Sequence, residues 1–186
     1  MAFRALFFAA LVGFLAYGAE VAGVKIPERM QVANEDLVLN GAGLRKRAFF
    51  QVYAIGLYLP KKTQSAEEAI KSSGARRVAI HMLRDVKAET FTEALAEGIR
   101  NNVPETEAKA LEPKVKQLGT IMSEVGEAKK GMNITLDWNG AATQLSVDGK
   151  PAGQPIPGEE FSRALLRIWL GDNPVQEDLK KALLGG

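Results

Sequence analysis

Three basic residues, Arg45, Lys46 and Arg47, lie immediately before a long run of strand-forming residues at 48–59, AFFQVYAIGLYL. A guanidinium group can hold a carboxylate through two parallel hydrogen bonds, and it can stabilise negative charge that develops during a reaction. Basic residues also bind phosphate, and they keep sheet edges from pairing with other chains. The pattern therefore leaves three interpretations open: the polar end of an apolar pocket, a nucleotide-binding loop, or protection of a sheet edge.

Several other kinds of chemistry are excluded by the residue types in the chain. It has no cysteine and a single histidine, His81. Thiolate zinc sites, iron–sulfur clusters, cysteine nucleophiles and sites that need two histidines are therefore excluded. His81 lies where Val78, Ile80 and Met82 alternate with other side chains, which favours a position on one face of a strand. We expect no metal site and no cofactor.

Nucleotides and nucleic acids are poor candidates for ligands. The formal net charge is +2, and the basic residues are mixed with acidic ones along the chain. The sequence contains no P-loop motif, and the glycines at 41 and 43 precede a strand instead of a helix N-terminus that would bind a phosphate. We predict no nucleic-acid partner, and for Arg45 the residues alone leave two interpretations open, the polar end of an apolar pocket and protection of a sheet edge.

The N-terminus has the layout of a secretory signal peptide. A short basic segment ending at Arg4 precedes twelve apolar residues at 5–16, and small residues follow, so cleavage is expected after Gly18 or Ala19. The apolar segment is short for a membrane span. We therefore expect a signal peptide over residues 1–19, a periplasmic or secreted mature protein, and membrane contact through that segment only. An uncleaved anchor is the alternative, and the oligomeric state stays open.

Residues 48–59 are the strongest strand prediction, because they are rich in aromatic and β-branched residues. Alternation places Phe49, Tyr53 and Ile55 on one face. Both faces are largely apolar, so the strand should be central and covered on both sides. The Asn-Gly pair at 40–41 predicts a turn before it.

Apolar residues at helical spacing predict several helices around this strand. Ser65 opens one of them with a capping box, and Pro113 predicts a kink or a division into two helices within 103–131. Asn-Gly and Asp-Gly pairs predict an antiparallel meander over 132–153. Strands, helices, strands and helices in this order favour an α+β fold with an antiparallel sheet. The predicted helical segments are 65–74, 87–102, 103–131, 157–173 and 174–186.

Three motifs follow one another along the chain: NGAGLR at 40–45, FFQVYAIGLYL at 49–59 and FTEALAEGIRNN at 91–102. Their order, and the meander and helices after them, resemble the chalcone isomerase-like superfamily, especially its secreted bacterial branch. The resemblance covers a single domain over residues 22–186. It implies an antiparallel β-sheet wrapped by a layer of α-helices, an open-faced sandwich with a cleft between the two layers.

Members of this superfamily differ in activity. Plant chalcone isomerases cyclise a chalcone to a flavanone, plastid relatives bind fatty acids, and other members are not catalytic. Arg45 occupies the position of the arginine that meets the substrate in the plant enzymes, so it would be the catalytic residue of an isomerase. Tyr53 and Phe91 stand where those enzymes have a threonine that helps to hold a catalytic water and its tyrosine partner. Since phenylalanine has no hydroxyl, the resemblance favours binding over catalysis.

We therefore predict an exported, non-catalytic protein that binds a small amphipathic molecule such as a fatty acid. Arg45 and Tyr53 would hold its carboxylate, and apolar side chains would surround its tail. Two alternatives stay open: an isomerase acting on a chalcone or related enone, and a structural or interaction module with a vestigial pocket. The predicted ligand contacts are Arg45, Tyr53, Phe49, Ile55, Phe91 and Leu95, with Leu57, Leu165 and Trp169 along the same tunnel.

Overall fold

The structure is a computed structural model that describes residues 17–186. Most of the predicted signal peptide therefore lies outside the described residues, while its last residues, from Tyr17 to Ala19, belong to the first strand. The strands are β1 (Tyr17–Val21), β2 (Val24–Pro27), β3 (Arg29–Val32), β4 (Glu35–Arg47), β5 (Phe50–Leu59), β6 (Arg76–Met82), β7 (Val86–Lys87), β8 (Glu127–Ala128), β9 (Asn133–Trp138), β10 (Ala142–Val147) and β11 (Lys150–Pro157).

Seven of these strands form one antiparallel sheet in the order β11-β10-β9-β6-β5-β4-β3. The other four form two separate antiparallel pairs: β1 and β2 make a hairpin, whereas β7 and β8 pair across the chain segment that contains two helices. The predicted meander is present as β9, β10 and β11, and the Asp-Gly pair makes the second turn, with positive φ at Asp148 and Gly149. The prediction of an α+β fold with an antiparallel sheet wrapped by helices is confirmed.

The helices pack mainly on one face of this sheet and build the larger core with it. Ser65 caps the first helix, accepting a hydrogen bond from the Glu68 N–H as the sequence predicts. The division into two helices at Pro113 is wrong, because one helix runs through that residue; Pro113 is exposed, so water can satisfy the carbonyl that loses its partner. The helices are α1 (Ala66–Lys71), α2 (Ala88–Arg100), α3 (Glu105–Val125), α4 (Glu159–Leu170) and α5 (Glu177–Leu183).

Strand β5 is central and covered on both faces, as its composition predicts. Ile55 belongs to the core between sheet and helices, whereas Tyr58 belongs to a smaller core on the opposite face. The β1–β2 hairpin covers that second face, where the Tyr58 hydroxyl donates to the carbonyl of Pro27 at 2.9 Å. Within residues 17–186, no helix is both long enough and apolar enough to cross a membrane.

The Gly-Ala-Gly segment is not a turn, which corrects the prediction from the Asn-Gly pair. It lies in the middle of β4, where Gly41 pairs with Leu57 and Gly43 with Ile55. The glycines instead let α5 approach the strand. A Cβ at Gly41 would overlap the carbonyl oxygen of Ala182, and one at Gly43 would lie 2.6 Å from a methyl of Leu179.

We expect Gly41→Ala to destabilise the protein by about 2–3 kcal/mol, because the added methyl meets the backbone of α5, which cannot move without loss of packing. Gly43→Ala is the matched control. It should lower the free energy of unfolding by a smaller amount, since the atom nearest to its added methyl is at the flexible end of the Leu179 side chain. Urea unfolding followed by circular dichroism measures both values. Equal stability of wild type and Gly41→Ala would contradict this account of the glycines.

Candidate ligand-binding groove

A groove of about 770 Å³ lies between the turn end of the β4–β5 hairpin and helix α2. The connection that follows β6 and the loop between α4 and α5 close its other sides. Its walls mix apolar side chains with a set of basic ones at the mouth. The lining residues include Arg45, Arg47, Phe50, Val52, Tyr53, Arg84, Val86, Lys87, Phe91, Ala94, Leu95, Gly98, Asn101, Ile168 and Val175.

Helix α2 supplies one apolar wall of the groove because its apolar residues recur at helical spacing. Phe91, Leu95 and Gly98 lie on its buried face. Gly98 lets α2 lie close to α4, since a Cβ there would be 2.8 Å from the side chain of Ile168. The same periodicity that buries α2 against the core therefore brings Phe91 and Leu95 to the groove.

Tyr53 provides a polar group within these apolar walls. Its side chain is buried, and its hydroxyl accepts a hydrogen bond of 3.0 Å from the indole Nε1 of Trp169. That bond uses a lone pair of the oxygen and leaves the hydroxyl proton for a second partner. Burial raises the pKa of Tyr53 above its ordinary value of 10.0, although the hydrogen bond from Trp169 and the charge of Arg45 act in the opposite direction. Tyr53 is therefore a neutral donor near pH 7.

Arg45 is the cross-strand partner of Tyr53 in the β4–β5 hairpin, and its side chain is half-buried. Its Nη1 donates to the carbonyl of Lys46 at 2.5 Å and to Oε1 of Gln176 at 3.3 Å. Gln176 is itself held, because its Oε1 accepts from the Lys46 N–H at 2.8 Å and its Nε2 donates to the Leu44 carbonyl at 3.0 Å. These bonds orient the guanidinium while its other N–H groups can bind an anion.

Two further arginines, Arg47 and Arg84, are exposed at the mouth of the groove. The guanidinium carbon of Arg84 lies 4.4 Å from the ring centroid of Phe50, which is a cation–π contact. The hairpin and the connection after β6 therefore supply four basic residues of the lining (Arg45, Arg47, Arg84 and Lys87) and one acidic residue, Asp85, whereas α2 supplies the carboxylates of Glu93 and Glu97. The groove has one basic end, which suits a ligand with one anionic group.

The structure brings four of the predicted ligand contacts to this groove: Arg45, Tyr53, Phe91 and Leu95. It places two others elsewhere. Phe49 is fully exposed in the hairpin turn, where the alternation of faces no longer applies, and Ile55 is buried in the core beneath the groove. Leu57, Leu165 and Trp169 are likewise core residues instead of lining residues. Contact of Arg45, Tyr53, Phe91 or Leu95 with a ligand stays a prediction.

Sequence reasoning missed the residues that complete the groove from distant parts of the chain. Ile168 and Val175 line the groove, and Gln176 bonds to its residue Arg45, because α4, α5 and the loop between them pack against the sheet. A local pattern could have indicated Arg84, which ends the predicted strand at 76–84, and Val86, which lies two residues after it. No pattern indicates Gln176, since it lies 131 residues from its partner Arg45.

The described part of the chain contains no group of three or more His, Asp or Glu side chains that could hold a metal ion. His81 lies on β6, and its Nδ1 is 2.8 Å from Oδ1 of Asn133 on the neighbouring strand. That position on a strand face matches the interpretation drawn from the alternating sequence.

Comparison with known proteins identifies the family of this chain. The sequence profile described as chalcone isomerase-like matches residues 18–185. The chain belongs to the chalcone isomerase-like family. Among solved structures, this chalcone isomerase-like chain is similar to a fatty-acid binding protein of Arabidopsis thaliana, with a TM-score of 0.69 and 12% sequence identity over 87% of this chain and 92% of the plant chain. A search of curated proteins finds no match.

The two buried tyrosines of this chalcone isomerase-like protein should make it sensitive to alkaline pH. Burial raises the pKa of Tyr53, and it raises the pKa of Tyr58 from its ordinary value of 10.0 to about 12. Both hydroxyls therefore keep their protons to a higher pH in the folded chain than in the unfolded one. This contribution to stability is complete below pH 10 and is lost as the pH rises towards 12.

The measurement is the urea midpoint as a function of pH, for the wild type, Tyr53→Phe and Tyr58→Phe. Above the ordinary tyrosine pKa, the urea midpoint of each variant should fall less steeply with pH than that of the wild type. Tyr53→Phe should also be less stable at neutral pH by about 1–3 kcal/mol, because the Trp169 Nε1–H loses its acceptor. A wild-type midpoint that stays constant throughout the alkaline range would show that neither hydroxyl changes its pKa on folding.

Proposed function

We propose that this protein is an exported, non-catalytic carrier of a fatty acid or similar amphipathic acid, from the secreted bacterial branch of its family. The carboxylate lies at the basic end of the groove, against Arg45 and Tyr53, and the aliphatic tail lies along Phe91 and Leu95. The observation that carries the proposal is the groove itself, in which an oriented, half-buried arginine stands at the end of apolar walls.

The dimensions and chemistry of the groove support this function. Its volume of about 770 Å³ is within the range of small-molecule sites. Apolar walls favour burial of an aliphatic chain, and a guanidinium with free N–H groups is the side chain best suited to a carboxylate. The neutral hydroxyl of Tyr53 adds a donor for the second carboxylate oxygen.

The structural neighbour also supports a lipid-like ligand. The Arabidopsis protein of similar fold is a fatty-acid binding protein, and the similarity extends over most of both chains. At 12% identity this likeness concerns the fold. The argument for a ligand in this chain therefore depends on its own residues, above all on Arg45.

The absence of a hydroxyl at position 91 argues against catalysis. An isomerase must hold a water or a donor beside the reacting carbonyl, and the buried ring of Phe91 occupies the α2 side of the groove. Loss of one such donor typically lowers a rate by about 10²–10³-fold. Binding, in contrast, gains from an apolar side chain at this position.

Replacement of Arg45 by alanine should weaken binding of palmitate by about tenfold to a hundredfold, since a hydrogen bond to a charged group contributes about 1.5–3 kcal/mol. Binding of hexadecanol, which has the same tail and no charge, should change little. Displacement of a fluorescent fatty acid measures both affinities. Arg29→Ala is the matched control, because Arg29 is exposed on β3 at the edge of the sheet.

Equal palmitate affinity of wild type and Arg45→Ala would contradict the anchor role of Arg45. Native mass spectrometry of protein purified without refolding should also show an adduct of lipid-like mass that is lost in Arg45→Ala. If the protein converted a chalcone faster than the spontaneous rate and Arg45→Ala abolished this activity, the carrier proposal would be wrong and the isomerase alternative would be supported.

Export is tested separately by expression of the full chain in a Gram-negative host. The protein should accumulate in the periplasm with Ala19 or Glu20 as its first residue, because the small residues before them suit a signal peptidase. Leu11→Arg, which places a charge in the apolar segment, should stay in the cytoplasm at full length. Recovery of wild type with residues 1–19 intact would contradict the signal peptide.

A further inference from the structure

The turn of the β4–β5 hairpin presents two phenylalanines to solvent. Phe49 is 100% exposed and Phe50 is 58% exposed. Among the residues that the structure describes, these are the only large apolar side chains with such exposure. An isolated exposed apolar residue is ordinary, but two neighbours at the end of a projecting hairpin form a small apolar surface. We call residues 46–50 the hairpin tip.

The hairpin tip is also positively charged. It contains Lys46 and Arg47, both exposed, and no acidic residue. Arg84 adds a third positive charge, since its guanidinium stacks on the ring of Phe50. The nearest acidic residue along that connection, Asp85, accepts a hydrogen bond of 2.7 Å from the Lys130 N–H. Exposed rings surrounded by cations match the interfacial region of a bilayer, where rings insert among the acyl chains and cations contact phosphate.

The hairpin tip lies next to the groove. Arg47 and Phe50 belong both to the tip and to the lining of the groove mouth. A surface that contacts the tip would therefore face the opening through which an amphipathic ligand enters. The tip carries net positive charge, so the complementary surface is negative.

We propose that the hairpin tip docks the mature protein on bilayers that contain anionic phospholipids, with Phe49 inserted at the interface and Lys46, Arg47 and Arg84 on the head groups. This inference adds a membrane-contact site to the proposed carrier function, and docking itself requires no ligand in the groove. It departs from the expectation that membrane contact occurs through the signal peptide only.

The test is co-sedimentation of the mature protein with vesicles of phosphatidylcholine, alone or mixed with phosphatidylglycerol. We expect binding to the mixed vesicles only, and a decrease at high salt. Phe49→Ser should reduce the partition coefficient by about tenfold or more, because the ring is lost from the interface. Lys46→Gln should reduce it by about fivefold. Lys62→Gln, an exposed lysine after the other end of β5, should leave it unchanged.

A second measurement uses Phe49→Trp as a reporter. Its emission should shift to the blue with the mixed vesicles, and brominated acyl chains should quench it. The native Trp138 and Trp169 are buried, at 5% and 1% exposure, so the shift comes from position 49. An unchanged spectrum, equal binding to neutral vesicles, or equal partition of wild type and Phe49→Ser would overturn the proposal. The proposal would also be overturned if Phe49→Ser changed the self-association of the protein and left its vesicle binding unchanged.

Palmitate affinity in vesicle-free solution separates this inference from the carrier function. Phe49 lies outside the groove, so Phe49→Ser should bind palmitate as the wild type does while it loses vesicle binding. Vesicle binding without palmitate binding would contradict the carrier function alone. Palmitate binding without vesicle binding would contradict the docking tip alone.

Discussion

Helix α5 lies directly on strand β4 because Gly41 and Gly43 have no side chains to hold it away, and the arrangement of the groove depends on this contact. Buried Asn40 fastens the end of the helix, since its Nδ2 donates to the carbonyl of Leu183 at 2.7 Å. At the other end, Gln176 reaches the strand and bonds to both Lys46 and Arg45. The orientation of the arginine therefore follows from two glycines that lie four and two residues before it in the same strand.

The groove combines a rigid polar end with apolar walls because different parts of the fold supply them. The polar groups belong to the paired strands β4 and β5, where Arg45 and Tyr53 are cross-strand partners, and α4 holds Tyr53 through Trp169. The apolar wall comes from α2, which packs against Ile168 through Gly98. A ligand that binds here would meet preorganised groups and would lose little affinity to their ordering. The exposed hairpin tip extends the same two strands beyond the packed core, so one hairpin links the groove to the surface.

Much of the fold was predictable because the relevant signals are local. Alternating apolar residues indicated β5 and the meander, and helical spacing indicated α2 and α4 with their buried faces. Two predictions failed, one because of a distant contact and the other because of exposure to solvent. The Asn-Gly pair has the composition of a turn, yet it lies within β4, at an irregularity of the pairing with β5, because α5 occupies the space that the missing side chain of Gly41 leaves. Pro113 interrupts no helix, because it is exposed and its lost hydrogen bond can be replaced by water.

The sequence by itself determined the fold class, the family resemblance and the candidacy of Arg45, Tyr53, Phe91 and Leu95, since motifs and periodicity depend on neighbouring residues. Tertiary structure decided which candidates share a groove. Phe49 and Ile55 have the same strand parity as Tyr53, but the hairpin turn exposes the first and the core encloses the second. Arg45 and its hydrogen-bond partner Gln176 lie 131 residues apart in the sequence, and Tyr53 and its partner Trp169 lie 116 residues apart. Contacts over such separations arise from the packing of whole elements, which no local pattern specifies.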